Sequence, residues 1–386
     1  MARSILFLFA LAILTALSHA QRSYAREESG QRQPQKCGKL LIRKEWRTLT
    51  NSEKSEWVGA VKCLGSVRHE RLSLTQDKTI LEGKRSLYDD FSYSHAAVRH
   101  SAHRNAYFLP WRASIPVPPF LYCPSSSHTY TSADRWFTYL FDTSLRRNCG
   151  YRGPTPYWDW SRDHADLFDS PVFEDSPEHG LGGTGDCDPS SPEADCTVAT
   201  GAFALSNGGF ELAWPIPHPL RRNLTLITGW FAHELPQNRT LGPASVRNAT
   251  ERTTGDFFSF QRAMALMHNH VHNFVGGDLA GDCPKALREQ DCPGMADSFT
   301  PNDPLFWLHH AQLDRLWNEW QRRHPSNFAA FSGMPLTPHN MTSSSYDLHA
   351  HADHLMPFDV QSVPVAPRMV FDIEAWPLCY RYADEE

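Results

Sequence analysis

The chain has 386 residues, 41% of them apolar and 21% charged, a composition that excludes a disordered or fibrous polymer and supplies a sizeable core. Its 37 Lys+Arg against 43 Asp+Glu leave a formal net charge of −6, so no basic excess points to a nucleic-acid partner. Nine cysteines is an odd number for a chain that forms disulfides, and it needs a physical explanation.

Arg3 is followed by an apolar run from Ile5 to Leu17 and then by Ser18-His19-Ala20, small residues at the positions a signal peptidase reads. The run is too short to span a bilayer, so residues 1–20 read as a cleaved signal peptide and the protein as secreted, with no membrane anchor. Residues 21–36 are rich in Gln, Arg and Ser and read as a flexible lead-in. Helical periodicity then predicts helices over 50–65, 88–103, 134–147, 257–274 and 303–323, with Pro/Gly-rich loops at 148–220 and 275–302. Period-2 strands are scarce and no internal repeat is visible. The expectation is one mainly α domain, a helical core dressed in long ordered loops.

Four sequons at Asn223, Asn238, Asn248 and Asn340 agree with secretion, the first three in a stretch that reads as exposed loop. Disulfides are then permitted. Cys187/Cys196 and Cys283/Cys292, each nine apart in Gly/Pro/Asp-rich segments, are candidate local loops, although spacing alone leaves the connectivity open. The Gly180-Leu-Gly-Gly-Thr-Gly185 run neither follows a strand nor opens a helix and reads as loop rather than phosphate cradle.

Three regions concentrate histidine. In the helix predicted over 257–274, His268 and His272 stand one turn apart on one face, so two imidazoles can meet one metal; His270 points elsewhere. Asn269 follows the first histidine where a zinc protease needs Glu, which removes that reading. A second helix opens at Asn302-Asp303-Pro304, residues suited to a cap and a first turn. Its apolar stripe of Phe306, Leu313, Trp317 and Trp320 faces a core, and His310 lies on the same face with Asp314 one turn later as an acidic neighbour. A third region, SHAAVRHSAHRNAYFLPW, carries His95, His100 and His103. Taken singly, each has an ordinary reading: a surface cluster, or a hydrogen-bonded core histidine.

Taken in order, the motifs resemble the tyrosinase and catechol oxidase family of type 3 copper proteins, in a short, secreted, fungal-like form. The copper B signature D-P-x-F-x-x-x-H-x-x-x-D is met by Asp303, Pro304, Phe306, His310 and Asp314, and the upstream H-x-x-x-H by His268 and His272. The copper A signature begins with His95, His103 and Phe108-Leu-Pro-Trp111; Pro156-Tyr157-Trp158-Asp159-Trp160 matches a further family motif, and Tyr380-Arg-Tyr382 resembles the Y-x-Y that closes the domain. The resemblance spans residues 37–382, leaving a short tail at 383–386. It implies a four-helix bundle around a dicopper centre, two copper ions with three histidines each, and oxidation of a small o-diphenol to an o-quinone with O2 as co-substrate. It also implies that Asn269, Phe306 and Asp314 stand beside the ligands or the substrate. Ser101 occupies the position where some relatives tether a cysteine to a copper ligand, so that thioether is absent. The acid that in relatives pairs with the Asn269 position is not found at Met264 or Ser259, which favours diphenol oxidation over monophenol hydroxylation. Long relatives carry a shielding C-terminal domain; this chain stops four residues past Tyr382, so activity is expected without proteolysis.

One ligand is missing. The family motif continues Trp-His-Arg, but here Trp111 is followed by residues 112–134 and the motif resumes at Arg135. The segment contains four prolines and would separate a ligand-bearing turn from its helix, at a centre that needs sub-ångström order. It reads as a retained intron: suitable codons at Arg112 and Asp134 would splice to a single histidine codon in frame. Two alternatives stay open, that His128 inside the segment serves the metal, or that the chain is a copper-deficient form without oxidase activity. An oxygen carrier with the same copper chemistry is the alternative function. Removing 112–134 also removes Cys123 and leaves eight cysteines, an even number.

Overall fold

A computed structural model describes residues 36–69, 85–102, 106, 109, 135–188, 190–191, 194–227, 235–292, 299–333, 350–359 and 361–383. The signal peptide, the lead-in up to residue 35, His103, residues 112–134 with Cys123 and His128, the Asn340 sequon and the last three residues of the tail lie outside them.

The first helix, α1 (Asn51–Ser66), starts where Thr50 and Glu53 close a reciprocal capping box. It packs on α2 (Leu87–Ala102) and α3 (Arg135–Cys149), and Cys63–Cys149 ties α1 to the end of α3. After a long irregular stretch come α4 (Pro243–Arg252), α5 (Phe257–Val275) and α6 (Leu305–Arg323), with α4 and α5 laid against α6 and α6 against α3. The predicted helices coincide with α1, α2, α3, α5 and α6 within two residues at each end. The stretch holding the first three sequons departs from expectation: Asn248 sits on α4 and Asn238 on a short turn of helix at Gln237–Thr240. Polar composition hid α4, because only a narrow side, including Ala249 and Thr250, is buried. Asn223 and Asn248 remain exposed, whereas Asn238 is half-buried.

Aromatic side chains fill the space between the helices. Phe141 of α3 stacks on Trp307 of α6 with ring centroids 3.7 Å apart, and Phe91 of α2 meets the same indole edge-on at 5.3 Å. Buried ion pairs then fix register. Arg222 holds Asp303 with two bonds of 2.7 Å, and Asp303 Oδ1 accepts the backbone N–H of Leu305 at 2.8 Å, so the start of α6 is anchored to a loop. Arg135, at the first turn of α3, donates to Asp314 at 2.5 Å and lies 3.7 Å over the Trp317 ring. The chain ends are joined by a parallel pair, β1 (Leu41–Arg43) with β2 (Tyr380–Tyr382), and by Cys37–Cys379. Both local pairs expected from spacing, Cys187–Cys196 and Cys283–Cys292, are bonded, so all eight cysteines among the described residues are in disulfides. No helix among the described residues is long and apolar enough to cross a membrane. The result is a mainly α domain in which α2, α3, α5 and α6 surround the histidines.

Candidate metal centre

α5 and α6 bring four imidazoles into one buried pocket. His268, His272, His309 and His310 each offer a ring nitrogen within 4.8 Å of the others. The spacing on α5 does this directly, since residues four apart lie one above the other. On α6, His309 and His310 are consecutive and point about 100° apart, so both reach the pocket only because it lies in the corner between their two directions. The sequence pattern directed His310 inward and gave no role to His309. The His-His doublet beside an apolar stripe was the available signal, but one residue's direction cannot be extended to its neighbour without knowing where α5 packs.

The surrounding groups set the tautomers. The backbone carbonyl of Leu279 can only accept, and it lies 2.6 Å from His272 Nδ1, so that nitrogen carries the hydrogen. His268 Nδ1 likewise donates to Asn269 Oδ1 at 2.9 Å. In both neutral rings the lone pair is therefore on Nε2. His272 Nε2 stands 3.4 Å from His310 Nε2. With metal–nitrogen bonds of about 2.0–2.1 Å, two donors on one tetrahedral ion lie roughly 3.3–3.4 Å apart, so this pair is spaced for a shared ion.

Burial disfavours the charged form of two of these rings. Burial first, then the rings of His272, His309 and His310, hold His268 well below the ordinary histidine range. Burial and His272 do the same to His309. His270, buried on the other side of α5, is brought down by burial to about 4. Rings that stay uncharged in ordinary buffers are the form that binds metal.

Leu279 reaches His272 because α5 stops at Gly276, whose φ of 64° and ψ of −162° only glycine adopts readily. An added Cβ there would meet the carbonyl oxygen of Asn223 at 2.5 Å. The turn that follows is held by Asp278, which accepts from His218 Nε2 at 3.0 Å and from the Arg221 backbone at 2.8 Å.

The other predicted residues stand beside this cluster, apart from it or outside the described residues. His95, on α2 and 1% exposed, stands across Phe306: its ring centroid is 5.8 Å from the phenyl, which stacks on His310 at 3.9 Å. Phe306 thus separates His95 from His310, and no ring nitrogen of His95 belongs to the four-histidine cluster. Asn269 is beside His268, as described. Asp314 is one turn from His310 but its carboxylate is engaged elsewhere, accepting from Arg135 and, at 2.5 Å each, from the hydroxyls of Tyr380 and Tyr382. It therefore fastens α6 to α3 and β2. His103 and the Arg112/Asp134 junction are outside the described residues.

The chain is also similar in sequence and fold to known proteins. The common central domain of tyrosinase matches residues 85–323. A tyrosinase from Streptomyces glaucescens is 32% identical over 346 residues, covering 82% of this chain and 98% of the relative. Tyrosinase-like protein phomQ2 from Diaporthe leptostromiformis is 29% identical over 356 residues, covering 90% of this chain and 74% of the relative. N-acetyl-6-hydroxytryptophan oxidase ivoB from Emericella nidulans is 28% identical over 387 residues, covering 88% and 92%. In fold, a polyphenol oxidase from Thermothelomyces thermophila superposes with a TM-score of 0.62 over 94% of each chain at 24% identity. The matched segment takes in α2, α3, α5 and α6 with the whole four-histidine cluster, and on that ground the chain belongs to the tyrosinase family.

Proposed function

We propose that the protein is a secreted copper oxidase that converts o-diphenols to o-quinones with dioxygen, and that diphenol oxidation outweighs monophenol hydroxylation. The observation that carries this reading is the set of four buried imidazoles with donor nitrogens within 4.8 Å of one another. Neutral imidazole suits copper, and His309, 0% exposed with neither ring nitrogen hydrogen-bonded, is the kind of buried polar group a metal would satisfy.

His268, His272 and His310 would hold one copper. His95 and His103, with a histidine formed at the Arg112/Asp134 junction, would hold the second. Bound there, copper would alternate between Cu(I) and Cu(II) and pass two electrons from a diphenol to dioxygen. The chain's own part is positional. Leu279 and Asn269 fix the rings of His272 and His268, and Phe306 packs its face on His310 and its edge against His95, which holds those two rings in place. Burial excludes water, so a substrate hydroxyl meets neutral donors in a weakly screened pocket.

Arg135, where the family motif resumes, is held firmly in the core. Its guanidinium is fully buried and bonded to Asp314, Gln321 and the carbonyls of Val370 and Phe371, which pins the start of α3 one helical turn from His310. We take the functional catalytic domain to be residues 37–382 without 112–134. Four disulfides and the exposed sequons at Asn223 and Asn248 favour secretion as a glycoprotein.

Metal analysis together with catechol turnover tests the function: two coppers per chain and formation of coloured quinone are expected. Reversible oxygen binding without turnover would make it a carrier instead. A tryptic peptide of the secreted protein joining Trp111 through histidine to Arg135 tests the junction, and recovery of the PVPPFLYC stretch would refute it.

A further inference from the structure

The first half of α2 carries acids that the copper reading leaves without a role. The Asp90 carboxyl meets His69 Nδ1, and the two side chains are 17% and 7% exposed. Ser94 stands one helical turn after Asp90 on the same face, and its Oγ donates to Asp359 Oδ2 at 3.1 Å. Asp359 belongs to a strap, residues 356–365, whose ends pair through the Met356 and Val365 backbones at 2.9 and 3.1 Å. Gln361 fastens the strap to α2 by donating to Ser94 at 3.4 Å, and Trp136 fastens it to α3 by donating its indole N–H to Ser362 at 3.1 Å. Phe358, 1% exposed, packs against the same indole. The strap is thus tied to α2 at the residue that directly precedes His95.

We propose that the strap is a pH-operated latch, released from α2 in alkaline medium when Asp90 loses its proton beside Asp359. The groups facing Asp90 are Asp89 on α2, His69 and Arg85 from the segments that flank the helix start, and Asp359 on the strap. Burial, with Asp89 and Asp359 adding to it against Arg85, pushes the Asp90 carboxyl up to about 8. Burial and Arg85 hold His69 below the ordinary histidine range, so the neutral pair is joined by the Asp90 proton, donated to Nδ1. Above that range Asp90 is an anion, and it repels Asp359 in a partly buried, weakly screened site. Asp89 is held by Ser86 and by the Ala213 backbone, which leaves the strap's Asp359 as the acid that can retreat. An acid raised in the closed state stabilises closure fully below its open-state value, and that contribution is lost as pH rises through about 8. The latch is built outside the histidine pocket and stands whether or not the copper reading does.

Amide hydrogen exchange of the full chain, read by peptide at about pH 6 and about pH 9 with the intrinsic rate divided out, tests it. Peptides carrying the Met356, Gln361 and Val365 amides report release, since each amide is bonded in the closed strap. In the wild type they should lose about tenfold in protection at the higher pH, the factor that one unit of pKa represents, while α1 keeps its protection. Asp90→Asn cannot take up the charge and should abolish the loss. Asp359→Asn keeps an acceptor for Ser94, suits the backbone φ of 50° at that position, and should abolish it as well. Circular dichroism establishes that each variant is folded, and either one alone suffices for the test. Equal protection of the wild-type strap at both pH values, an equal loss in α1, or a loss that persists in either folded variant would overturn the proposal.

Discussion

Asn269 is the residue whose small contact has the largest reach. By accepting from His268 Nδ1 at 2.9 Å it fixes that ring's rotation and puts the lone pair on Nε2. Asn269→Ala should therefore leave the fold intact and lower copper affinity by about tenfold to hundredfold, read by chelator competition. The lesson for reading a sequence is visible in the same few residues. His268 and His272 were legible because the four-residue interval forces them onto one face whatever packs against it. His309 was not, because adjacent helix positions diverge and only the position of α5 decides which directions end in the same cavity. Asp314 was recognised from its motif, but its partners come from α3 and β2, remote in sequence, so spacing could not reveal that it anchors Arg135, Tyr380 and Tyr382.

Between residue and fold, the turn after α5 does the positioning. Gly276 reverses the chain so that the Leu279 carbonyl returns to His272. Gly276→Ala should cost about 1–3 kcal/mol, seen as a lower melting temperature, because its backbone region excludes a Cβ and Asn223 blocks the added atom. His218 secures the same turn through Asp278. Burial works against its charged form, but Asp278 and the carbonyl of Ile216 favour that form and raise the ring above its ordinary value of 6.5. A raised histidine stabilises the fold fully below about 6.5, and the contribution is lost as pH rises through the folded-state value. His218→Gln should accordingly cost about 2 kcal/mol at pH 5.5 and measurably less at pH 8.5, by chemical denaturation at the two pH values. The helices themselves were legible from periodicity, and the start of α6 from Asn302-Asp303-Pro304. α4 was not, since its stability comes from packing on α5 and α6 rather than from an apolar stripe of its own.

At the scale of the molecule, the ends of the domain are sewn together. Cys37–Cys379 bridges a separation of 342 residues beside the β1–β2 pair, and Arg43 of β1 reaches Asp142 of α3 at 2.8 Å. Replacing both cysteines by serine should lower unfolding free energy by about 3–5 kcal/mol, with the largest part arising from the freed unfolded chain. Denaturant titration of the copper-stripped protein measures it. The sequence by itself determined the helical class, five of the longer helices and the histidine pair on α5, because each depends on residues close along the chain. It also determined family membership through the order of its motifs. Only the tertiary structure decided that His309 joins the pocket, that Phe306 packs against both His95 and His310, and that Arg135 pins α3 against α6. Each of these depends on where one helix lies against another, and that is settled by packing over the whole core rather than by any local pattern.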